Sequence, residues 1–314
     1  MRRNVCLGLM LLASSTVSAS PAPETRQFLD KTWVTYPSKL GEYTLTTERY
    51  DPANVPAGVS LGYYLPGLPE GSALTIFVFP QGRSEQAAGI KRALADITGG
   101  VLEEQKAHVY ADVVIGEPAE FTVAAPSASV LDSGDEPEAT PPKHLATAIT
   151  DAPAPQASAA QDESADPIVQ AAADSAAPTT TVGRRLLLSF TSYGVKRQSI
   201  GYAFYRNLFL ITVRFTVPAD GLPPAQFQAI GDKAVQTLVP AIDILNFGTC
   251  GTITIPMPDH ESADDAGKAG ALAMIKEVGR ISTENCANSE GNTPTKVPAD
   301  HARQILVYPD GFWH

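Results

Sequence analysis

Short runs in which apolar and polar residues alternate dominate the first 125 positions, and a period of two is typical of β-strands. The runs that predict strands are 31–36, 42–47, 59–65 and 74–79. The last run is largely apolar on both faces, so we expect a central strand that is wholly or mostly covered on both sides. After it, apolar residues recur at helical spacing over 85–97, which predicts a helix that begins after Ser84 and ends at Gly99-Gly100.

Two further runs, 109–115 and 119–124, predict a hairpin that turns at residues 116–118. Alternation resumes after position 181, and the short connections between its runs predict an antiparallel meander over 185–193, 198–205 and 208–217. Two prolines then precede an amphipathic stretch, which predicts a helix from Pro223 to about Leu238.

The last stretch, 250–314, is less regular. Its runs at 252–255 and 304–308 predict two more strands. Ser262, with Asp265 three residues later, is typical of a capping box and predicts a helix over 263–281. Together the elements predict an α+β fold, in which amphipathic helices pack on an antiparallel β-sheet and a long insertion interrupts the sheet.

The insertion, 126–181, differs in composition from the rest of the chain. It contains 15 alanines and eight prolines but no Phe, Tyr or Trp, and nine acidic residues against one lysine. Such a stretch buries too little apolar surface to offset its ordering entropy, so we predict that it is disordered. It separates the first half of the domain, 20–125, from the second half, 182–249. It serves as a spacer or binding tail, or it is simply tolerated between two strands.

The first 19 residues have the three parts of a secretory signal peptide: Arg2 and Arg3, an apolar stretch over 5–13, and small residues that end at Ala19. Cys6 lacks the small-residue motif of a lipoprotein acceptor. The apolar stretch is too short to span a bilayer and no later stretch reaches 18 uncharged apolar residues, so we predict no transmembrane anchor. We expect cleavage near Ala19 and a periplasmic or secreted bacterial protein.

Two cysteines, Cys250 and Cys286, lie beyond the predicted signal peptide. An even pair in an oxidising compartment predicts a disulfide, which the chain-entropy model credits with roughly 3–4 kcal/mol. A metal or redox pair is the alternative, but the spacing is far from that of a CxxC motif. The disulfide would tie 250–314 to the main domain as a C-terminal extension.

The net charge of −11 and the pI near 4.9 argue against a nucleic-acid partner, because phosphate contacts need a basic surface. Most of this acidity lies in the insertion. The charge of the whole chain therefore says little about what the folded part binds.

The stretch 58–80 (GVSLGYYLPGLPEGSALTIFVFP), followed by an amphipathic helix, and the later ITVRFTVP at 211–218 resemble an uncharacterised group of secreted proteobacterial proteins. The order of strands is also similar, more distantly, to the small α+β domains of the Mog1/PsbP type. The resemblance covers about 27–123 and 182–247 and has no diagnostic motif. It implies a fold, and such domains are often accessory or binding modules.

Residues 58–62 match the GxSxG pattern of a nucleophile elbow, which needs a strand before Ser60 and a helix directly after it. Two prolines precede this serine and an apparent strand follows it, so we interpret Ser60 as an ordinary strand residue. We assign no catalytic residue.

Asp259, His260 and Glu261, with Asp264 and Asp265 nearby, are possible metal ligands, although acids in the first turn of a helix also stabilise its dipole. The five histidines at 108, 144, 260, 301 and 314 are scattered, and no phosphate-binding loop is present. We therefore predict no cofactor and assign no metal site.

Basic residues surround the predicted meander together with tyrosines, and they form either an anion-binding face or ordinary strand-edge charges. They are Arg184, Arg185, Lys196, Arg197, Arg206, Tyr193, Tyr202 and Tyr205. Arg214 is the most unusual charge, because it lies mid-strand among apolar residues. We expect it to have an acidic or carbonyl partner, either in a structural ion pair or in a ligand site.

These observations favour a non-enzymatic exported protein that binds a partner in the bacterial envelope. One alternative is an envelope hydrolase whose residues converge only in the fold, with His108 or His301 bonded to a serine and an acid. Another is a small-ligand carrier with a pocket between the sheet and the helices.

Overall fold

A computed structural model describes residues 27–125, 180–253, 263–293 and 296–313. Within these ranges the chain forms two β-sheets and three α-helices, which confirms the predicted α+β class. The strands are β1 (Lys31–Pro37), β2 (Lys39–Leu40), β3 (Tyr43–Tyr50), β4 (Val59–Tyr64), β5 (Ala73–Pro80), β6 (Tyr110–Ile115), β7 (Ala119–Ala124), β8 (Thr180–Ser192), β9 (Val195–Arg206), β10 (Phe209–Pro218), β11 (Asp243–Phe247), β12 (Cys286–Ala287) and β13 (His301–Val307). The helices are α1 (Gln86–Lys106), α2 (Pro224–Leu238) and α3 (Ala263–Glu284). The predicted signal peptide and nearly all of the predicted insertion lie outside the described residues.

The larger sheet is antiparallel throughout and has nine strands in the order β2-β3-β4-β5-β10-β9-β8-β6, with β7 also paired to β8. The strands β8, β9 and β10 form the predicted meander. In the middle of the sheet, β5 from the first half pairs with β10 from the second half, from Pro80 opposite Phe209 to Ala73 opposite Thr216. The two halves of the chain therefore share one sheet.

The smaller sheet has four strands in the order β12-β11-β1-β13. Of its two inner strands, β1 pairs antiparallel with β11 on one side and with β13 on the other, and β11 also pairs parallel with β12. The residues after Gly251 thus contribute two strands to a sheet that contains β1, the first of the described strands.

One continuous core lies between the larger sheet, the smaller sheet and α2. It contains apolar side chains from all three parts, among them Ile76 of β5, Val34 of β1 and Val235 of α2. Phe227 of α2 stacks on Phe215 of β10 with 5.3 Å between ring centroids. This core fixes which face of the larger sheet points inward, because side chains alternate along each strand.

The helix α1 packs on the opposite face of the larger sheet. Its residues Ile90, Ala93 and Ile97 lie over β9 and β10, and Val101 lies over β8. The helix does not end at Gly99-Gly100 as predicted but continues to Lys106. It crosses only part of this face, and Phe77 of β5 remains 36% exposed. The strand β5 is therefore central as expected, fully covered on its inner face and only partly covered on its outer face.

The predicted hairpin over 109–124 is wrong. Both β6 and β7 run antiparallel to β8 and lie end to end along it, with Ile115 opposite Leu188 and Ala119 opposite Arg185. Between these two pairs, the segment that joins β6 to β7 has one residue more than β8 has, as in a β-bulge. In β7, Phe121 and Val123 point to the inner face and join the core.

The disulfide between Cys250 and Cys286 joins the end of β11 to the start of β12. Beside it, Glu284 at the end of α3 accepts hydrogen bonds from Arg280 and from Arg83, whose Nε lies 2.6 Å from the carboxylate. These contacts attach the end of α3 to the loop before α1. The predicted strand at 252–255 is not formed at Thr252 and Ile253, and its other residues lie outside the described ranges.

Candidate functional site

The structure gives Ser60 no catalytic surroundings. It lies within β4, opposite Arg49 of β3 and Phe77 of β5, so it points from a flat strand and not from a sharp turn. His301 is bonded to the carboxylate of the preceding Asp300 at 2.9 Å. Among the described residues, neither His301 nor His108 is bonded to a serine.

The possible metal ligands Asp259, His260 and Glu261 lie outside the described residues, as do His144 and His314. Asp264 and Asp265 belong to the first turn of α3. Within the described ranges no group of His, Cys, Asp and Glu side chains is placed to hold a metal ion.

The predicted cluster of basic residues and tyrosines is divided between the two faces of the larger sheet. Arg185 points inward, where its Nη1 lies 2.6 Å from Asp232 of α2, and the Tyr202 hydroxyl donates to the same carboxylate. Arg184 points the other way and lies near Glu120. These residues therefore do not form one anion-binding face.

Arg206, from the same cluster, is buried at the end of α2. It donates to the carbonyl oxygens of Val239 and Ile242. Burial lowers the pKa of this guanidinium to about 10. Burial also raises the pKa of the nearby Asp243, although Arg206 and Arg303 oppose that shift. We therefore interpret Arg206 as a structural cation that binds carbonyl groups at and after the end of α2.

Arg214 is placed differently from the other arginines. It points from β10 to the outer face of the sheet, at the border of α1. Its Nε lies 3.4 Å from the Ser199 hydroxyl, which is itself bonded to Thr216 at 2.8 Å. The guanidinium carbon lies 5.3 Å from the ring centroid of Phe190. Instead of the expected acidic or carbonyl partner, the described part of the chain offers it a hydroxyl and aromatic rings.

Arg214 belongs to a surface that we call the cationic face: the outer face of β2, β3, β4, β5, β9 and β10 where α1 does not cover it. Because residues opposite one another in a sheet share a face, the strand register places four cations here. They are Lys39, Arg49, Arg197 and Arg214. The only acidic residue in these six strands, Glu48, lies on the inner face opposite Leu61.

Hydroxyl groups and aromatic rings fill the cationic face between its charges. The small polar residues that reach the surface are Thr44, Thr47, Ser60 and Thr75, whereas Thr212 and Thr216 point to the same face but are buried. The two large exposed side chains are Phe77 and Tyr64, which is 56% exposed. The backbone at Gly62 lies so close to the Thr47 hydroxyl that an added Cβ would meet it at 2.2 Å. This part of the face has no bulky side chain.

The cations on this face lie far apart. Arg49 and Arg214 are three strands and two positions apart in the register, which separates their Cα atoms by about 16 Å at ordinary strand spacing. Arg197 is the one whose guanidinium reaches a neighbouring loop, where its Nη1 lies 2.9 Å from the Gly71 carbonyl oxygen. A single small anion cannot contact all of them, so the face fits a ligand with several separated anionic groups.

No family model matches this chain, and no curated protein matches it. The resemblance to Mog1/PsbP-type domains therefore stays a prediction. None of the described helices combines the length and the apolar character that crossing a membrane requires.

Proposed function

We propose that this chain is an exported binding protein of the bacterial envelope, without catalytic activity, and that its cationic face recognises anionic groups of an envelope partner. The predicted signal peptide and the disulfide support export. The cationic face supports the binding role.

The single observation that carries this proposal is that one face of the larger sheet carries cations from its strands but no acidic residues from them. Four cations share a face to which its strands contribute no Asp or Glu, in a chain whose net charge is −11. Among the described residues Arg49, Lys39 and Arg214 have no ion pair. Lys39 and Arg49 are exposed and Arg214 is half-buried. Cations without an acidic partner in their own protein remain available to an anionic ligand, and they steer its approach.

The proposal is tested by co-sedimentation of the purified mature protein with isolated envelope fragments of a Gram-negative bacterium. We expect binding to weaken as NaCl rises from about 50 to about 300 mM, because salt screens exposed charges. The double variant Arg49→Gln/Arg214→Gln should bind about tenfold more weakly, a difference of about 1.4 kcal/mol.

The matched control is Lys233→Gln/Lys268→Gln, which also removes two exposed cations but from α2 and α3. It should bind like the unmodified protein, and circular dichroism checks that both variants are folded. If the Arg49/Arg214 variant sediments as well as the control does, the cationic face is not the binding surface.

A further inference from the structure

The middle strands of the cationic face have no free hydrogen-bonding edge, although β2 and the part of β3 beyond it lie at the edge of the sheet. Its central strands, β4, β5 and β10, each have a paired strand on both sides. Peptides that bind to sheets usually add a strand at an open edge, where backbone N–H and C=O groups are unpaired. A ligand that lies across these central strands meets side chains only, so an extended peptide could add a strand only at the edge formed by β2 and β3.

Two rows of side chains across the strands repeat the same order of a cation, a hydroxyl and an aromatic ring. In one row Arg49, Ser60 and Phe77 lie on the neighbouring strands β3, β4 and β5. In the other row Lys39, Thr44 and Tyr64 lie on β2, β3 and β4. In each row the ring and the cation are two strands apart, so their Cα atoms are about 10 Å apart.

This order fits the chemistry of a sugar chain that bears carboxylates. The flat carbon face of a sugar ring packs against an aromatic ring, and its hydroxyl groups exchange hydrogen bonds with Ser and Thr. A carboxylate on a neighbouring sugar accepts from a guanidinium or ammonium group. The polar and apolar parts of such a chain alternate along its length, as the side chains do in each row.

We propose that the ligand of the cationic face is an acidic polysaccharide that lies across the strands, with sugar rings on Phe77 and Tyr64 and carboxylates at Arg49, Lys39 and Arg214. This inference rests on the proposed function and names the class of the anionic partner. Because each contact is exposed and weak, affinity depends on several contacts to one chain, and longer chains bind more tightly than short fragments.

The test measures binding of the full mature protein to four probes by isothermal titration calorimetry. The probes are polygalacturonate, uncharged dextran, poly-L-glutamate and single-stranded oligo-dT. We expect polygalacturonate to bind most tightly and dextran to show no binding. Fragments of polygalacturonate should bind progressively more weakly as they become shorter.

Two pairs of substitutions separate the roles of rings and charges. Phe77→Leu/Tyr64→Leu keeps apolar side chains but removes the flat rings, and we expect a loss of five- to tenfold in affinity for polygalacturonate, of the size that lost ring stacking gives. Arg49→Gln/Arg214→Gln should cost about as much. The matched control is Tyr193→Leu, which removes an exposed ring in the turn between β8 and β9.

Each other outcome has a definite meaning. If poly-L-glutamate binds more tightly than polygalacturonate and ignores the ring substitutions, the partner is an acidic polypeptide and the sugar inference is wrong. Tighter binding of oligo-dT overturns it in favour of a nucleic acid. If no probe binds while envelope sedimentation still depends on Arg49 and Arg214, only the polysaccharide inference fails. If neither assay depends on these arginines, the proposed function fails as well.

Discussion

At the scale of single residues, Asn246 joins three parts of the molecule. It is fully buried in β11, and its Oδ1 accepts a hydrogen bond from the Thr32 hydroxyl of β1 at 2.7 Å. Its Nδ2 donates to the carbonyl oxygens of Asn207, in the turn between β9 and β10, and of Glu284, at the end of α3. Both sheets and the last helix therefore meet at one amide.

We expect Asn246→Ala to lower the free energy of unfolding by about 2–4 kcal/mol, because it leaves two buried carbonyl oxygens and a hydroxyl without their partner. Urea denaturation followed by circular dichroism measures the change. The control is Gln86→Ala, which removes an exposed amide with one hydrogen bond to Val182 and should cost less than about 0.5 kcal/mol. If Asn246→Ala lowers the free energy of unfolding as little as the control does, the hydrogen bonds of Asn246 contribute little to stability.

The candidate site is only partly predictable at this scale. Arg214 is conspicuous in the sequence because it interrupts an apolar strand. The sequence does not show which residues surround Arg214. Ser199 comes from the neighbouring strand β9, and Tyr110 comes from a strand about a hundred positions earlier. Lys39 and Arg49 look like ordinary surface charges. Only the register of β2, β3 and β4 shows that they share a face with Arg214.

At the scale of elements, local pattern predicts most strands and helices but not their pairing. The predicted meander and α2 are confirmed. Alternation and short turns identify the meander locally, and the amphipathic pattern identifies α2. The strand β11 has no such signal, because its buried Asn246 interrupts the apolar pattern. The junction of β6 and β7 contains Gly and Pro like a turn, and only pairing with β8 distinguishes a bulge from a hairpin.

The length of α1 leads to a prediction about its two central glycines. Gly99 and Gly100 lie inside the helix, and a Cβ added to either would meet no atom within 4 Å. Glycine costs about 0.5–1 kcal/mol relative to alanine in a helix, so Gly99→Ala/Gly100→Ala should raise the free energy of unfolding by about 1–2 kcal/mol. Thermal unfolding followed at the helical circular-dichroism band measures the gain.

The matched control in the same helix is Gly89→Ala, whose new Cβ would lie 3.1 Å from the ring of Tyr205. This substitution should give less stabilisation than the pair at 99 and 100, or a loss. If Gly89→Ala raises the free energy of unfolding as much as the pair at 99 and 100 does, α1 is not closely packed against the sheet at Gly89.

At the scale of the whole molecule, the insertion lies between two strand ends that are paired with each other. Ala124, at the end of β7, lies directly opposite Thr180, at the start of β8. The second half therefore begins two residues before the predicted boundary at 182. The two strand ends are near enough for a two-residue turn to join them.

We expect a chain in which Asn-Gly replaces residues 125–179 to keep the same fold and to unfold cooperatively. Its free energy of unfolding should equal or exceed that of the full chain by up to about 2–3 kcal/mol, because a shorter loop costs less entropy to close. Urea denaturation measures this, and envelope sedimentation should be unchanged because the cationic face lies outside the removed residues. Loss of cooperative unfolding would show that the insertion contributes to the core.

The place of β1 between β11 and β13 also decides when the molecule can form. Its two hydrogen-bonding partners, Asp243–Phe247 and His301–Val307, follow it in the chain by more than 200 positions. Until they have been synthesised β1 has two unpaired edges, and contacts between such distant segments form slowly. A chain that is being synthesised therefore cannot complete the pairing of β1 until His301–Val307 has been made, and β1 needs protection from aggregation until then.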